Sequence, residues 1–376
     1  MIYLDANATT PLDPAVMAAM MPALAEVFAN PSSVHKPGQD ARALMDRARE
    51  QSGAALGCDP REIVFTSGGT EADALAVRGL ARRKVVTTSV EHPALLGACA
   101  ELERAGVEVV RVPVDRSGRL DLGALEAALP GADLCSAMAA NNETGIAFPL
   151  ARIGELCRRH GVPFHTDAVQ AIGKMPLSIR ELPLDLLSCS GHKIGGPKGA
   201  GLLWARRGIP LAPVQVGGHQ ERGRRAGTEN VAAIVGLGEA VSRAVAAVPT
   251  QAARLAGLRD RLEAVARQIP GAHVAGAGSA RVCNTLNVAF EGCDGETLLV
   301  ALDLAGVAVS TGSACSSGSL EPSPVLLAMG YPPALARGAV RFSLWSGTTA
   351  ADIDAVSALL PDVVARTRAR PDRRPR

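Results

Sequence analysis

Apolar and polar positions along this chain alternate between two periods. Short apolar runs at strand length are followed by stretches with helical spacing. Asp13-Pro14 reads as an N-cap with proline at the first helical position, opening a helix to about Phe28. A second helix is expected over 39–56. Next comes a strand over 62–66, then a helix over 71–83, a strand over 85–89 and a helix over 93–105. The pattern goes on as a strand over 107–114, a helix over 121–129, a strand over 133–139 and a helix over 150–160. Strands over 162–166, 184–189 and 202–205 bring the number to seven. Strand–helix alternation of this kind predicts an α/β fold whose seven-stranded sheet is mainly parallel and covered on both faces.

After about residue 247 the pattern changes. A helix over 251–268, a strand over 284–290, a helix over 295–305, a strand over 306–310 and a last helix over 350–367 suggest a smaller α+β unit. The expected division is a large domain over 14–247, with 1–13 and 248–376 forming the small one. The end of the chain, from Arg366, is basic and broken by proline, and reads as a solvated tail.

Composition narrows the picture. The 376 residues are 47% hydrophobic but only 3% aromatic, so the core is built from Ala, Val and Leu. A net charge of +2 gives no electrostatic case for nucleic acid or an acidic membrane surface. The start lacks the features of a signal peptide, and no run of 18 apolar residues suggests a membrane span. The eight cysteines show no CxxC pair and no zinc-ligand spacing. A reduced, cytoplasmic setting is the expectation.

Cys315 differs from the other seven. Seven of the ten residues from Ser310 to Ser319 are Ser or Gly, so its thiol rides on small polar backbone and is available to react. A plain Ser/Gly linker is the competing reading.

Ligands of open parallel sheets bind beyond the carboxyl ends of the strands, and four such ends carry polar groups here. Ser67-Gly-Gly-Thr70-Glu71 joins a strand to a helix, as a phosphate cradle without a Walker lysine or as an ordinary turn capped by Thr70. Asp167, in His165-Thr-Asp-Ala-Val-Gln170, needs a cationic partner: a protonated pyridine nitrogen, or an arginine in a structural pair. Lys193 follows an apolar strand within Ser190-Gly-His-Lys-Ile-Gly-Gly-Pro-Lys-Gly199, where a lowered pKa would make it an amine nucleophile. His92 ends the strand over 85–89, placed to stack on a planar ring, move protons or serve structure. Cradle, acid, lysine and histidine together describe one ligand, pyridoxal 5′-phosphate.

The ordered segments Tyr3-Leu-Asp-Ala-Asn-Ala-Thr-Thr-Pro11, Thr66-Ser-Gly-Gly-Thr-Glu71, Asn141-Asn-Glu-Thr-Gly145, Ser190-Gly-His-Lys193, the stretch over 217–230 and Gly312-Ser-Ala-Cys315-Ser-Ser-Gly-Ser-Leu-Glu-Pro322 resemble the cysteine desulfurases. This is the NifS and IscS family, on the class V aminotransferase fold (fold type I). The resemblance runs from residue 2 to about 345. It implies conversion of L-cysteine to L-alanine, with the sulfur held as a persulfide on Cys315 for iron–sulfur cluster assembly or other acceptors.

The resemblance also implies residue roles. Lys193 carries the covalent link to the cofactor, and His92 stacks on the ring and assists proton transfer. Asp167 binds the pyridine nitrogen; Gln170 and Asn142 contact the ring oxygen. Gly69, Thr70, Ser190 and His192 hold the phosphate, and Thr228 reaches the phosphate of the other subunit, which implies a homodimer. Arg341 pairs with the substrate carboxylate, with Asn30 nearby. Cys315, through its persulfide, is a candidate transient iron–sulfur ligand. The expected partners are L-cysteine and a sulfur-acceptor or iron–sulfur scaffold protein. A selenocysteine lyase or another class V aminotransferase-like enzyme is the alternative.

Overall fold

The structure, a computed structural model, describes residues 1–311 and 321–368. Cys315 and the tail from residue 369 lie outside the described residues. The strands are β1 (Ile2–Tyr3), β2 (Ile63–Thr66), β3 (Lys84–Thr88), β4 (Glu108–Val112), β5 (Leu134–Ser136), β6 (Phe164–Asp167), β7 (Leu186–Ser190), β8 (Gly201–Ala205), β9 (Ala272–Val274), β10 (Thr285–Phe290), β11 (Val307–Ala308) and β12 (Ala339–Ser343).

Seven of them form one sheet in the order β2-β8-β7-β6-β5-β3-β4. Neighbours from β7 through β4 run parallel, and β8 alone opposes both of its partners. The mainly parallel seven-stranded sheet expected from the sequence is therefore present.

The sheet feeds two cores, because successive side chains along a strand point to opposite faces. Phe65, Val86, Cys135, Leu187 and Leu202 pack in one apolar cluster, while Val64, Val85, Leu134, Leu186 and Leu203 pack in another. A third cluster, including Leu286, Val288, Val340 and Phe342, surrounds a three-stranded antiparallel sheet of order β12-β10-β9. β1 pairs in parallel with β11, so the first residues of the chain are fastened beside residues 307–308.

Local chemistry explains most helix starts. Asp13 Oδ1 accepts from Ala15 N at 2.8 Å ahead of the helix Pro14–Ala25, as the sequence suggests. The helix Pro93–Arg104 is capped by the ring of His92.

Two differences are informative. A helix was expected from about 251, but one helix runs unbroken over Val231–Gln268, with Pro249 inside it. Proline lacks the N–H that a helix interior uses, so it reads as a break. Here packing holds the helix on both sides of the proline: Val241 and Val248 before it and Leu255, Leu258 and Leu262 after it are buried. One window of this helix is apolar enough to cross a membrane, yet 56% of that window is buried within the protein. β9 and β12 were not anticipated, since three residues and a run containing Arg341 give little alternation to read.

The close approach of β8 to the turn after β2 yields a prediction. A Cβ on Gly201 would fall 2.6 Å from Gly68 C and 2.7 Å from Cys189 O, both backbone atoms that cannot rotate away. Gly201→Ala is expected to destabilise the fold by about 1–3 kcal/mol, read as a lower urea midpoint.

Candidate active site

The strand ends converge on a cavity of about 360 Å³. Gly69, Thr70, His92, Asn142, Asp167, Gln170, Ser190, His192, Lys193 and Arg341 all line it, so ten of the residues singled out from the sequence are brought together. Thr228 and Asn30 are exposed and lie outside its lining. Asn30 Oδ1 instead accepts from Ser32 N at 2.8 Å.

β2 delivers the first wall. After Thr66 the chain turns into the helix Gly69–Leu80, and Gly68 at its start offers no side-chain cap. The free N–H groups and positive dipole end of this helix are left for an anion. Gly69 is required by space, because a Cβ there would meet Val169 Cγ2 at 2.9 Å. Glu71 braces the turn: its carboxylate accepts from Ser67 N at 2.8 Å and pairs with Arg225 at 2.7 and 3.1 Å.

β6 delivers Asp167, which is 6% exposed and accepts from Val169 N at 2.9 Å. Burial pushes its carboxyl up to about 6, against the pull of that N–H and of Lys193. Asp73 lines the same cavity four residues after Gly69, on the same face of the helix. Its Oδ1 is buried without a hydrogen-bond partner among the described residues. Burial, then the charge of Asp167, holds it well above the carboxylate range. Two buried acids, one with an orphaned oxygen, fit a cationic ring nitrogen in this cavity, and the Gly69 turn fits a phosphate. The residues present thus suit pyridoxal 5′-phosphate.

His92 Nδ1 accepts from Ala94 N at 3.2 Å, so the proton of the neutral ring belongs on Nε2. Burial, then Lys193, lowers its pKa to about 4. Its neighbour Glu91 is a structural acid. One oxygen accepts from Thr88 Oγ1 at 2.7 Å and Met138 N at 2.9 Å, and burial raises its pKa to about 8.

Lys193 stands just beyond β7, and its Nζ donates to Asn7 O at 2.7 Å and Ala8 O at 2.6 Å. The N-terminal segment therefore crosses the mouth of the sheet. Asn7 also accepts from Gln170 Nε2 at 3.0 Å on its carbonyl, while its Nδ2 donates to Asn142 O at 3.0 Å and Thr285 Oγ1 at 2.8 Å. Arg341, 2% exposed, donates to Asp5 Oδ1 at 2.8 Å and Asn142 O at 3.1 Å, and its Nε has no partner among the described residues.

Sequence reasoning gave no role to Asp5, Asn7, Asp73 or Lys174. The quoted N-terminal motif contained the first two, but only the folded chain carries them to residues 142, 193 and 341. For Asp73 the spacing from Gly69 was a readable signal.

The sequence profile of the family described as aminotransferase class-V matches residues 2–356. A cysteine desulfurase of Trichormus azollae is 48% identical over 375 residues, covering 98% of this chain and 94% of that relative. The chain belongs to the cysteine desulfurases of the class V aminotransferase family. A solved structure named a NifS-like protein superposes with a TM-score of 0.91 at 36% identity, covering 97% of this chain and 99% of the other. A second, titled SspA in complex with cysteine, gives 0.81 at 33% identity, covering 92% and 99%. The fold is that of the type I pyridoxal-phosphate enzymes, and the family depends on that cofactor.

The neutral His92 of this desulfurase supplies a test. In the cofactor-free protein its ring is expected to stay uncharged from neutral pH down to about 4, followed by ring nitrogen shifts in NMR. A midpoint near the ordinary histidine value of about 6.5 would contradict the burial argument.

Proposed function

We propose that the protein converts L-cysteine to L-alanine and passes the sulfur through a persulfide on Cys315. The observation that carries this reading is the meeting of Lys193, His92, Asp167 and Arg341 in one cavity. The solved relative named for its complex with cysteine supports the choice of substrate.

Pyridoxal 5′-phosphate would be held by Gly69, Thr70, Ser190 and His192 at its phosphate, by Asp167 at its ring nitrogen, by His92 and Gln170 beside the ring, and by Lys193 covalently. When bound, it supplies an electron sink for the α-carbon of an amino acid. Arg341 grips the substrate carboxylate with its planar fork, and Asp5 and Asn142 O hold that fork in place. Lys193 Nζ takes the Cα proton, and the neutral His92 offers Nε2–H beside it. The Cys315 thiolate attacks the substrate sulfur. An Sγ–S bond forms as the substrate Cβ–S bond breaks, and the electron pair left on carbon takes up a proton to give L-alanine.

Cys315 follows Ser310 by five residues, a reach of at most roughly 17 Å. Ser310 is bonded through its backbone to Arg341, and Pro324, on the far side of the segment, lines the cavity. Both ends of the segment therefore start from the site.

The same reading includes a homodimer. Met17, Met21 and Leu24 are 53, 49 and 61% exposed at helical spacing on the helix Pro14–Ala25, and Phe28, just past its end, is 87% exposed, an apolar surface suited to a second copy of the chain. Exposed Thr228 would then meet the partner's phosphate. A sulfur-acceptor protein completes the cycle, as the iron–sulfur role of this family implies.

Purified protein supplied with the cofactor, L-cysteine and a thiol reductant is expected to give equal alanine and sulfide. Cys315→Ala should keep the visible cofactor absorbance but lose turnover by a factor on the order of 1,000 or more; full turnover would sink the reading. Arg341→Lys keeps the charge and loses the fork, so KM for L-cysteine should rise roughly tenfold to a hundredfold.

A further inference from the structure

Beside the partly buried Lys193 lies a buried lysine that the reaction above does not use. Lys174 is 7% exposed, four residues beyond Gln170. Its Nζ donates to Asn7 Oδ1 at 3.1 Å and to Gln170 Oε1. Both acceptors are neutral amides. Among the described residues, the charged and titratable groups that face it are Lys193, Arg341, His192 and the Cys283 thiol. Burial pushes its pKa down to about 7, and the two neighbouring cations add to that. A buried ammonium group without a carboxylate works against folding, so packing alone does not account for it.

Lys193 Nζ bonds to the same asparagine through its backbone carbonyl. Among the described residues, the titratable groups that face Lys193 include His92, His192, Asp167 and Lys174. Both histidines are pushed down to about 4 and are neutral at neutral pH. Asp167 favours a charge on Lys193, and Lys174 opposes it.

We propose that Lys174 is a positioning residue for Lys193: its buried ammonium group opposes a second positive charge there and fixes the amide of Gln170. Because Lys174 is a donor only, Gln170 must turn Oε1 toward it and present Nε2 to the Asn7 carbonyl. That carbonyl also holds the Lys193 amine. Two cations around one asparagine in a poorly solvated site repel strongly. Where Lys174 is charged, at and below its lowered value of about 7, Lys193 therefore sheds its proton more readily, and the uncharged Lys193 amine is the form that attacks a carbonyl. The inference rests on Lys193 being the reactive amine of the proposed reaction.

The test uses the full-length chain without cofactor and reads Lys193 directly. Reductive methylation with formaldehyde and cyanoborohydride is followed at the Lys193 peptide by mass spectrometry across a pH series. Lys174→Met is expected to raise the midpoint of Lys193 reactivity by roughly one pH unit, while Lys174→Arg stays near the parent value. An unchanged midpoint in a folded Lys174→Met protein overturns the proposal. Lys174→Gln keeps a donor without the charge and stands in if the methionine variant does not fold: a raised midpoint supports the role, and the parent midpoint overturns it. No cofactor or L-cysteine enters this measurement. A chain that failed to release sulfur would undo the functional reading and leave this result standing, and the reverse also holds.

Discussion

Everything at the candidate site hangs on the way Asn7 is bonded. Its N–H donates to Ser343 Oγ at 2.9 Å, and its carbonyl receives both Lys193 and Gln170. Its side chain reaches Asn142, Thr285, Lys174 and Asn284. One residue near the start of the chain thus ties the ends of the large sheet to β10 and β12. Buried polar groups are costly when unpaired and specific when satisfied. A network centred on one amide therefore fixes the nucleophilic amine and the carboxylate-binding arginine relative to each other.

Charge is managed around that centre by burial. Asp167, Asp73 and Glu91 all rise above the carboxylate range, while His92, His165 and Lys174 all fall below their own. The common cause is desolvation, which disfavours whichever form is charged. His165 shows the structural use of this effect. Its ring lies between Ser136 Oγ at 2.8 Å and Ser188 Oγ at 2.9 Å, neutral and fully buried, joining β5 to β7 across β6. Asp167 and His92 are shifted by the same physics but face the cavity, where a ligand can answer them.

Much of the site could be read before the fold was known. Lys193, Asp167, His92 and Gly69 each follow a strand, and a parallel sheet sends the carboxyl ends of its strands to one side. Asn142, Gln170, Ser190, His192 and Arg341 were placed by resemblance, and they too line the cavity. The miss at Pro249 came from local chemistry overruled by packing. The misses at Asp73 and Lys174 came from burial, since an acid or a lysine in an unfolded string looks like surface.

The sequence by itself determined the alternating elements, the two-faced sheet and the residue types at its strand ends, because periodicity and turn chemistry are local. It also determined that Cys315 sits in a Ser/Gly stretch unlike the setting of the other cysteines. Tertiary structure decided which of these groups meet. Asp5 comes to Arg341, Asn7 to Lys193 and Lys174 to the Asn7 side chain, each across a separation of more than 160 residues. No local rule encodes such contacts. They arise when the packed clusters bring the first strand, the large sheet and β12 to a common edge.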